Sequence, residues 1–556
     1  MALDRIRRYA ALVWANVFFD AAAMRFMKHC RSIWKRDAAR RSSGEVLFEQ
    51  NEFHSAIIAY SYLANVLANR HDADITRFRF PNRRRGALLD RLTKRLSDRI
   101  YESFNCGRLV VVAADSQQKR EADTILRRIT PGLITKLDLE NLTIDGIWIG
   151  DLAYDTYLKE RRAATVDLES PALRESLREA IEIFVFWRDY LRVRKVKAVN
   201  VSHCVYNVAI VLRIAVAQRI PVYQINATHA YRLDEKNLFA YTDFFYYRDA
   251  FRALSPQVRR EGIATARSRI ERRFKGEVGV DMPYSSKSAY GAVSAPKPVL
   301  RASPRPKVLI ALHCFFDSPH SYGVNLFPDF YDWLDYLGRI SEETDYDWYL
   351  KTHPDVLSGN EAVIESFVAK YPKFTLLPRD TSHHQIIRDG IDVALTVYGT
   401  IAFEYAALGL PVVNASQCNP HVSYNFSLHP KSIDEYGQVL RSLAFRNLKI
   451  DQEQVYEFYF MRFIYNSEDW LFRDYSAMVD ALGGYGEQFT PRVYDYFLRE
   501  FTPERHAEVA ATIERFVETG DFRLSQQHMR HANTPSEERP AELIVQRSAS
   551  AQSYRA

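Results

Sequence analysis

Residues 392–414 read DVALTVYGTIAFEYAALGLPVVN, and this stretch restricts the possible folds more tightly than any other in the chain. Asp392 through Val397 is a short apolar, β-branched run, the pattern of a strand covered on both faces. Tyr398-Gly399-Thr400 interrupts it, with Gly399 expected to adopt a backbone conformation that other residues avoid. Thr400 suits an N-cap, and Ile401, Tyr405 and Leu408 recur at helical spacing. Gly409 ends the helix, Pro411 forbids its continuation, and Val412-Val413 opens a second strand. Such a unit aims a helix N-terminus at the carboxyl edge of a parallel sheet, where free N–H groups and a partial positive charge suit a phosphate. Glu404 lies one turn in, on the face of Thr400, where a carboxylate could accept hydrogen bonds from two adjacent hydroxyls such as those of a ribose. The plainer alternative is an ordinary β–α–β unit with a solvated Glu404.

The same alternation runs through most of the chain. Residues 46–48, 109–114, 144–149, 198–201 and 220–225 read as strands, and helical stretches separate them, the longest at 171–192. A parallel sheet is implied, with its ligand edge at the strand ends, where Asp151, Tyr154, His203, Tyr206 and Asn207 fall. From about 274 to 306 the composition turns to Ser, Ala, Gly, Pro and Lys, the best candidate for a linker. A second α/β series follows, with strands at 307–312, 348–351 and 374–377 leading into the 392–414 unit. The expected organisation is a leader over 1–44, a Rossmann-like domain over 45–273, the linker, a second Rossmann-like domain over 307–445, helices over 446–522 and a disordered tail over 523–556. At 556 residues a chain is too long for one ordinary core, which agrees with this division.

The charge is concentrated in the leader. Residues 1–44 carry a net +7 against +6 for the whole chain, so the remainder is near neutral, and a folded nucleic-acid-binding domain is not expected. In the leader, basic residues alternate with Trp14, Phe18, Phe19, Phe26 and Trp34. One reading is a helix lying in an anionic membrane interface; the other is a helix packed on the protein's own surface. The five cysteines are scattered without a CxxC pair, which argues for a reducing compartment and against zinc or a disulfide framework. With no secretory signal and no run of about twenty apolar residues, a cytoplasmic protein is expected, at most peripheral at the inner face of the membrane.

The second half gathers groups that donate to phosphate: Lys351 and His353 at one strand end, with Thr400 near another. Lys351-Thr352-His353-Pro354, then Thr396 through Glu404, then Gly409-Leu410-Pro411-Val412, resembles the nucleotide-binding half of bacterial capsule and surface polysaccharide transferases. That group includes the Kdo transferases of capsule assembly and is distantly similar to CDP-glycerol glycerophosphotransferases and polysialyltransferases. The likeness covers roughly residues 307–430. It implies a GT-B fold, two Rossmann-like domains facing across a cleft, and a glycosyltransferase that takes a nucleotide-activated sugar, CMP-linked donors included. It further implies that Lys351, His353, Gly399, Thr400 and Glu404 hold the donor nucleotide, that His313, Asp317 and His320 reach the donor or its sugar, and that Asn419 and His421 do likewise. Tyr398 departs from the smaller polar residue common at its position, which bears on donor identity. The acceptor would be a glycan or glycolipid, with no cofactor and no metal.

Inversion at the sugar needs a base for the acceptor hydroxyl, expected from the N-terminal half. Asp151 is the first candidate because it follows a buried strand through a glycine, and His203 is the second; a helix-capping Asp151 and a core His203 are the structural alternatives. Asp72-Ala73-Asp74 and Asp345-Tyr346-Asp347 match a metal-binding DxD only by a pattern common by chance, and His383-His384 lacks partners at ligand spacing. There is no G-x-S-x-G and no Walker loop. Three other functions fit the same architecture: glycerophosphate transfer from CDP-glycerol, nucleotide-sugar 2-epimerisation, and a non-catalytic scaffold for polysaccharide assembly.

Overall fold

Strand β1 (Glu45–Glu49) is buried along its whole length and forms the centre of the first sheet. The chain continues through β2 (Asp74–Arg79), β3 (Arg108–Val111), a small antiparallel pair β4 (Thr143–Ile144) and β5 (Ile147–Trp148), and then β6 (Val196–Val201), β7 (Val222–Ile225) and β8 (Ala230–Leu233). The six-stranded sheet is ordered β3-β2-β1-β6-β7-β8, parallel except for β8, which pairs antiparallel with β7. The second sheet contains β9 (Lys307–Ala311), β10 (Asp347–Lys351), β11 (Phe374–Leu376), β12 (Val393–Thr396) and β13 (Val412–Asn414), ordered β11-β10-β9-β12-β13 and wholly parallel. This computed structural model describes residues 19–35, 42–81, 94–282, 285, 287–291, 297–352, 359–466 and 469–529. Two α/β sheets, parallel but for β8 and each flanked by helices, are the architecture expected of a GT-B chain.

In both sheets the strand order reverses beside the first strand. β1 meets β6 in the first sheet, and β9 meets β12 in the second. Helices on opposite faces leave a crevice beyond the carboxyl ends at such a reversal, and ligands of open α/β sheets bind there. The ends of β6 and β9 approach each other: the Tyr206 hydroxyl, five residues past β6, donates to Asp317 past β9 at 2.7 Å.

Two expected strands differ. Residues 109–114 yield only β3, a sheet-edge strand ending at Val111 with partly exposed side chains. Residues 144–149 do not enter the parallel sheet. Asp145 and Gly146 both take positive φ (51° and 77°), the tight turn of an Asp-Gly hairpin, so β4 and β5 fold onto each other.

Described segments near both ends of the sequence pack on the first sheet. Within the leader, helix Ala21–Ile33 buries Phe26, Met27 and Cys30, and Phe26 stacks on Tyr494 of helix Arg492–Glu500 at 4.1 Å. Arg25 pairs with Asp495 at 2.7 Å. This part of the leader is therefore packed on the protein itself, while residues 1–18 and 36–41 lie outside the described residues. Helix Pro503–Thr519 packs on helix His54–Arg70, and residues 22–104 share one apolar core with residues 470–524. Arg523, Leu524 and His528, expected in the polar tail, are instead structured, with Arg523 paired to Asp243; residues 530–556 lie outside the described residues. Among the described residues no helix is long and apolar enough to cross a membrane.

Candidate functional site

At the reversal of the second sheet, His313 follows β9 and faces Thr396 at the end of β12. The Val397 N–H donates to His313 Nε2 at 3.2 Å, and the Thr396 hydroxyl lies 3.1 Å from the same nitrogen. An Nε2 that accepts from an amide is unprotonated, so this ring's proton lies on Nδ1. Thr396 Oγ1 also accepts from Gly399 N–H at 3.0 Å. A Cβ on Gly399 would lie 2.7 Å from that oxygen, so the glycine is needed for close approach and not for a left-handed backbone as expected. Thr400 precedes helix Ile401–Ala407 without a side-chain capping bond, leaving its exposed hydroxyl available. The helix is only seven residues long, so its dipole contributes less to anion binding than the sequence suggested.

These residues line a cavity of about 330 Å³ together with Lys351, Thr352, Tyr322, Tyr398, Arg273, Glu404 and Tyr290. Lys351 ends β10, and its ammonium donates to the Arg379 carbonyl at 2.6 Å. Two further donors have no partner among the described residues. Burial lowers its pKa to about 8. Glu404, buried beneath the cavity, is already engaged. Arg273 pairs with Oε1, and the Tyr290 hydroxyl donates to Oε2 at 3.1 Å. Both oxygens meant for a ribose are thus held by residues from the end of helix Pro256–Phe274 and from the segment after it. His353 lies outside the described residues.

The other expected donor contacts lie elsewhere. His320 is fully buried, with Nδ1 2.6 Å from Asp155 and Nε2 2.9 Å from Glu140, both in the first half. Burial disfavours the charged ring, but the two carboxylates outweigh it and hold the imidazole well above its usual pKa. It ties the two halves together and does not face the cavity. Asn419 donates to the Ser416 carbonyl at 2.6 Å and accepts from His421 N–H at 3.0 Å, which shapes the loop after β13. His421 is buried among Phe403, Phe426 and Phe458, and burial pushes its pKa well down. Asp317 stays at the exposed cleft edge, joined to Tyr206.

The two candidate bases separate clearly. Asp151 is fully buried and pairs with Arg213 at 2.6 Å, and the Arg213 guanidinium also sits over the Trp148 ring. Because β4 and β5 form a hairpin, Asp151 does not follow a strand of the main sheet. Gly150 instead presses the start of its helix against the Leu139 carbonyl, where a Cβ would come within 2.1 Å. His203 lies two residues past β6 and is exposed to solvent. Partial desolvation, and then the Lys159 ammonium, hold its pKa below the usual value against the opposing charge of Asp317. A neutral ring at neutral pH can accept a proton.

One carboxyl at this edge was not singled out from sequence. Glu49 closes β1, is 8% exposed, and accepts from Ser202 N–H at 2.7 Å across the reversal between β1 and β6. Burial raises its pKa to about 7. A glutamate at a strand end reads as solvated, and only the neighbouring β6 shows that it is not. Among the described residues no group of three or more His, Cys, Asp or Glu side chains is placed to hold a metal ion.

No family model matches the chain, and no curated protein matches it. Among solved structures it is similar to the UDP-GlcNAc 2-epimerase from Neisseria meningitidis bound to UDP-GlcNAc (10% identity, TM-score 0.24, 75% of this chain and 96% of that one). It is also similar to a glycosyltransferase from Rickettsia africae (11%, 0.22, 83% and 100%) and to MurG from Acinetobacter baumannii (10%, 0.20, 75% and 94%). Overlaps this loose say nothing of function, and the α/β architecture rests on the strand pairing itself.

Proposed function

We propose that the chain is a glycosyltransferase that moves a sugar from a nucleotide-activated donor to a glycan or glycolipid acceptor, in building a bacterial capsule or other cell-surface polysaccharide. The observation that carries this reading is the pairing of two strand-order reversals: a cavity lined by Lys351 and Thr400 at β9/β12, and an edge bearing His203 at β1/β6. In this reading the donor's phosphates lie against Lys351, the Thr400 hydroxyl and adjacent main-chain amides, and these groups stabilise the departing nucleotide electrostatically without a metal ion. His203 takes the proton of the acceptor hydroxyl as the sugar is transferred. Asp151 is set aside as the base because Arg213 occupies it in the interior. Glu404 accepts ribose hydroxyls only once the Tyr290 hydroxyl withdraws.

The test is a thermal-shift series with CMP, CDP, UDP and GDP at millimolar concentration. A nucleotide that binds the folded chain raises its melting temperature by mass action. Stabilisation by at least one of them, lost in Lys351→Met, is the expected result; stabilisation by none overturns the proposal. A capsule or surface-polysaccharide role places the enzyme at the inner face of the cytoplasmic membrane, with residues 1–18 as the contact. Deleting those residues should abolish co-sedimentation with anionic vesicles.

A further inference from the structure

Lys159 stands in the last turn of helix Gly150–Arg161, exposed at the mouth of the cleft. Its Nζ lies 3.7 Å from the centroid of the Tyr206 ring. Among the described residues it forms no ion pair, although Asp317, Asp155 and Glu160 are near enough to act on it through space. An ammonium on an aromatic face turns part of its N–H donors toward the ring and leaves the others open to a ligand.

The ring beneath it is held firmly. Tyr206 has φ 64° and ψ 172°, a backbone conformation costly for any residue with a Cβ. Its hydroxyl donates to Asp317 of the other half at 2.7 Å, and the next residue's N–H donates to Thr156 Oγ1 at 2.8 Å. Strain of this kind persists only where the surroundings over-determine it, and it clusters at working sites. Here it presents one ring face to a cation and one hydroxyl to a carboxylate, beside His203. Lys159 and His203 both belong to the first half, opposite the donor cavity.

We propose that Lys159, seated on Tyr206, binds an anionic group of the acceptor, so that the acceptor is a sugar carrying a carboxylate or a phosphate. This rests on the transferase reading for the word acceptor, but the binding event itself does not need it. A charge-assisted contact supplied by Lys159 orients the acceptor so that a neighbouring hydroxyl meets His203.

The test measures binding of glucuronate, glucose 6-phosphate and glucose to the full chain by ligand-observed NMR. At least one anion is expected to bind about tenfold tighter than glucose, and Lys159→Gln to remove that difference. Lys119→Gln, an exposed lysine on another helix, should keep it. Glucuronate against glucose 6-phosphate distinguishes the carboxylate from the phosphate. Equal binding of all three, no binding of either anion, or a preference that survives Lys159→Gln overturns the inference. So does loss in Lys351→Met alone, which would put the anion in the donor cavity. Lysine-dependent anion binding without any nucleotide stabilisation would locate the failure in the transferase reading and leave this site standing.

Discussion

Replacing Glu49 by Gln isolates the effect of ionising a buried carboxyl. The Gln amide oxygen can still accept from Ser202 N–H, so the bond across the β1/β6 reversal survives while the charge cannot form. Burial raises the Glu49 pKa from 4.5 to about 7. The folded chain therefore holds this proton more tightly than the unfolded chain does. The stability contributed by the protonated form is fully present below about pH 4.5 and is lost as the pH rises through about 7. At about 1.4 kcal/mol per unit, the loss is roughly 3 kcal/mol once the group is fully ionised. Relative to wild type, Glu49→Gln should gain nothing at about pH 4.5 and about 3 kcal/mol above about pH 8. Urea midpoints of both proteins, followed by fluorescence across that range, measure the difference. Parallel curves, or a variant that falls below wild type as the pH rises, would refute the claim that β6 desolvates this carboxyl.

Removing the Asp151 charge should act on stability and not on chemistry. Asp151→Asn leaves Arg213 charged and unpaired in the interior, and a denaturant midpoint should report a loss of about 3–5 kcal/mol; normal stability with lost transfer would contradict this. His203→Gln should keep nucleotide-dependent thermal stabilisation while transfer falls about a hundredfold or more, the usual scale for a lost general base. Tyr290→Phe frees one oxygen of Glu404, so calorimetry should show UDP gaining roughly fivefold over its 2′-deoxy analogue; an unchanged ratio would leave Glu404 a purely structural carboxylate. Lys351 loses its charge as the pH rises through about 8, so CDP affinity should fall over that interval and the fall should flatten in Lys351→Arg.

The fold was legible where burial is complete and local. β12, the following helix and β13 lie within the stretch singled out at the start, because a two-sided apolar run between Gly409, Pro411 and Asp392 has few alternatives. β2 was not legible. Its sequence, DITRFR, carries two arginines, and Arg77 is buried only because Asp98 and the Cys106 carbonyl receive it. Asp145-Gly146 is a hairpin signal, and the turn it makes keeps Asp151 off the edge of the parallel sheet. For the candidate site, sequence brought His313, Lys351, Gly399, Thr400 and Glu404 to one neighbourhood, and all five line the cavity. It could not show that Arg273 and Tyr290, more than a hundred residues away, already hold Glu404. Nor could it show that His320 faces Asp155 and Glu140, since a pattern of residue types does not reveal a partner on another sheet.

The shared core of residues 22–104 and 470–524 bears on the order in which the chain becomes stable during synthesis. Domains generally settle as units, amino-terminal first. Here the lobe begun first is finished last, because Trp470, Phe497, Phe516 and Leu524 must leave the ribosome before the face of helix His54–Arg70 is covered. All five strands of the other sheet fall between Lys307 and Asn414, so that lobe can assemble while its neighbour still waits. The helix Gln452–Tyr459 that covers Phe403 also precedes Trp470, so a nascent chain arrested near residue 500 should resist protease across the later lobe and be cut readily within the earlier one.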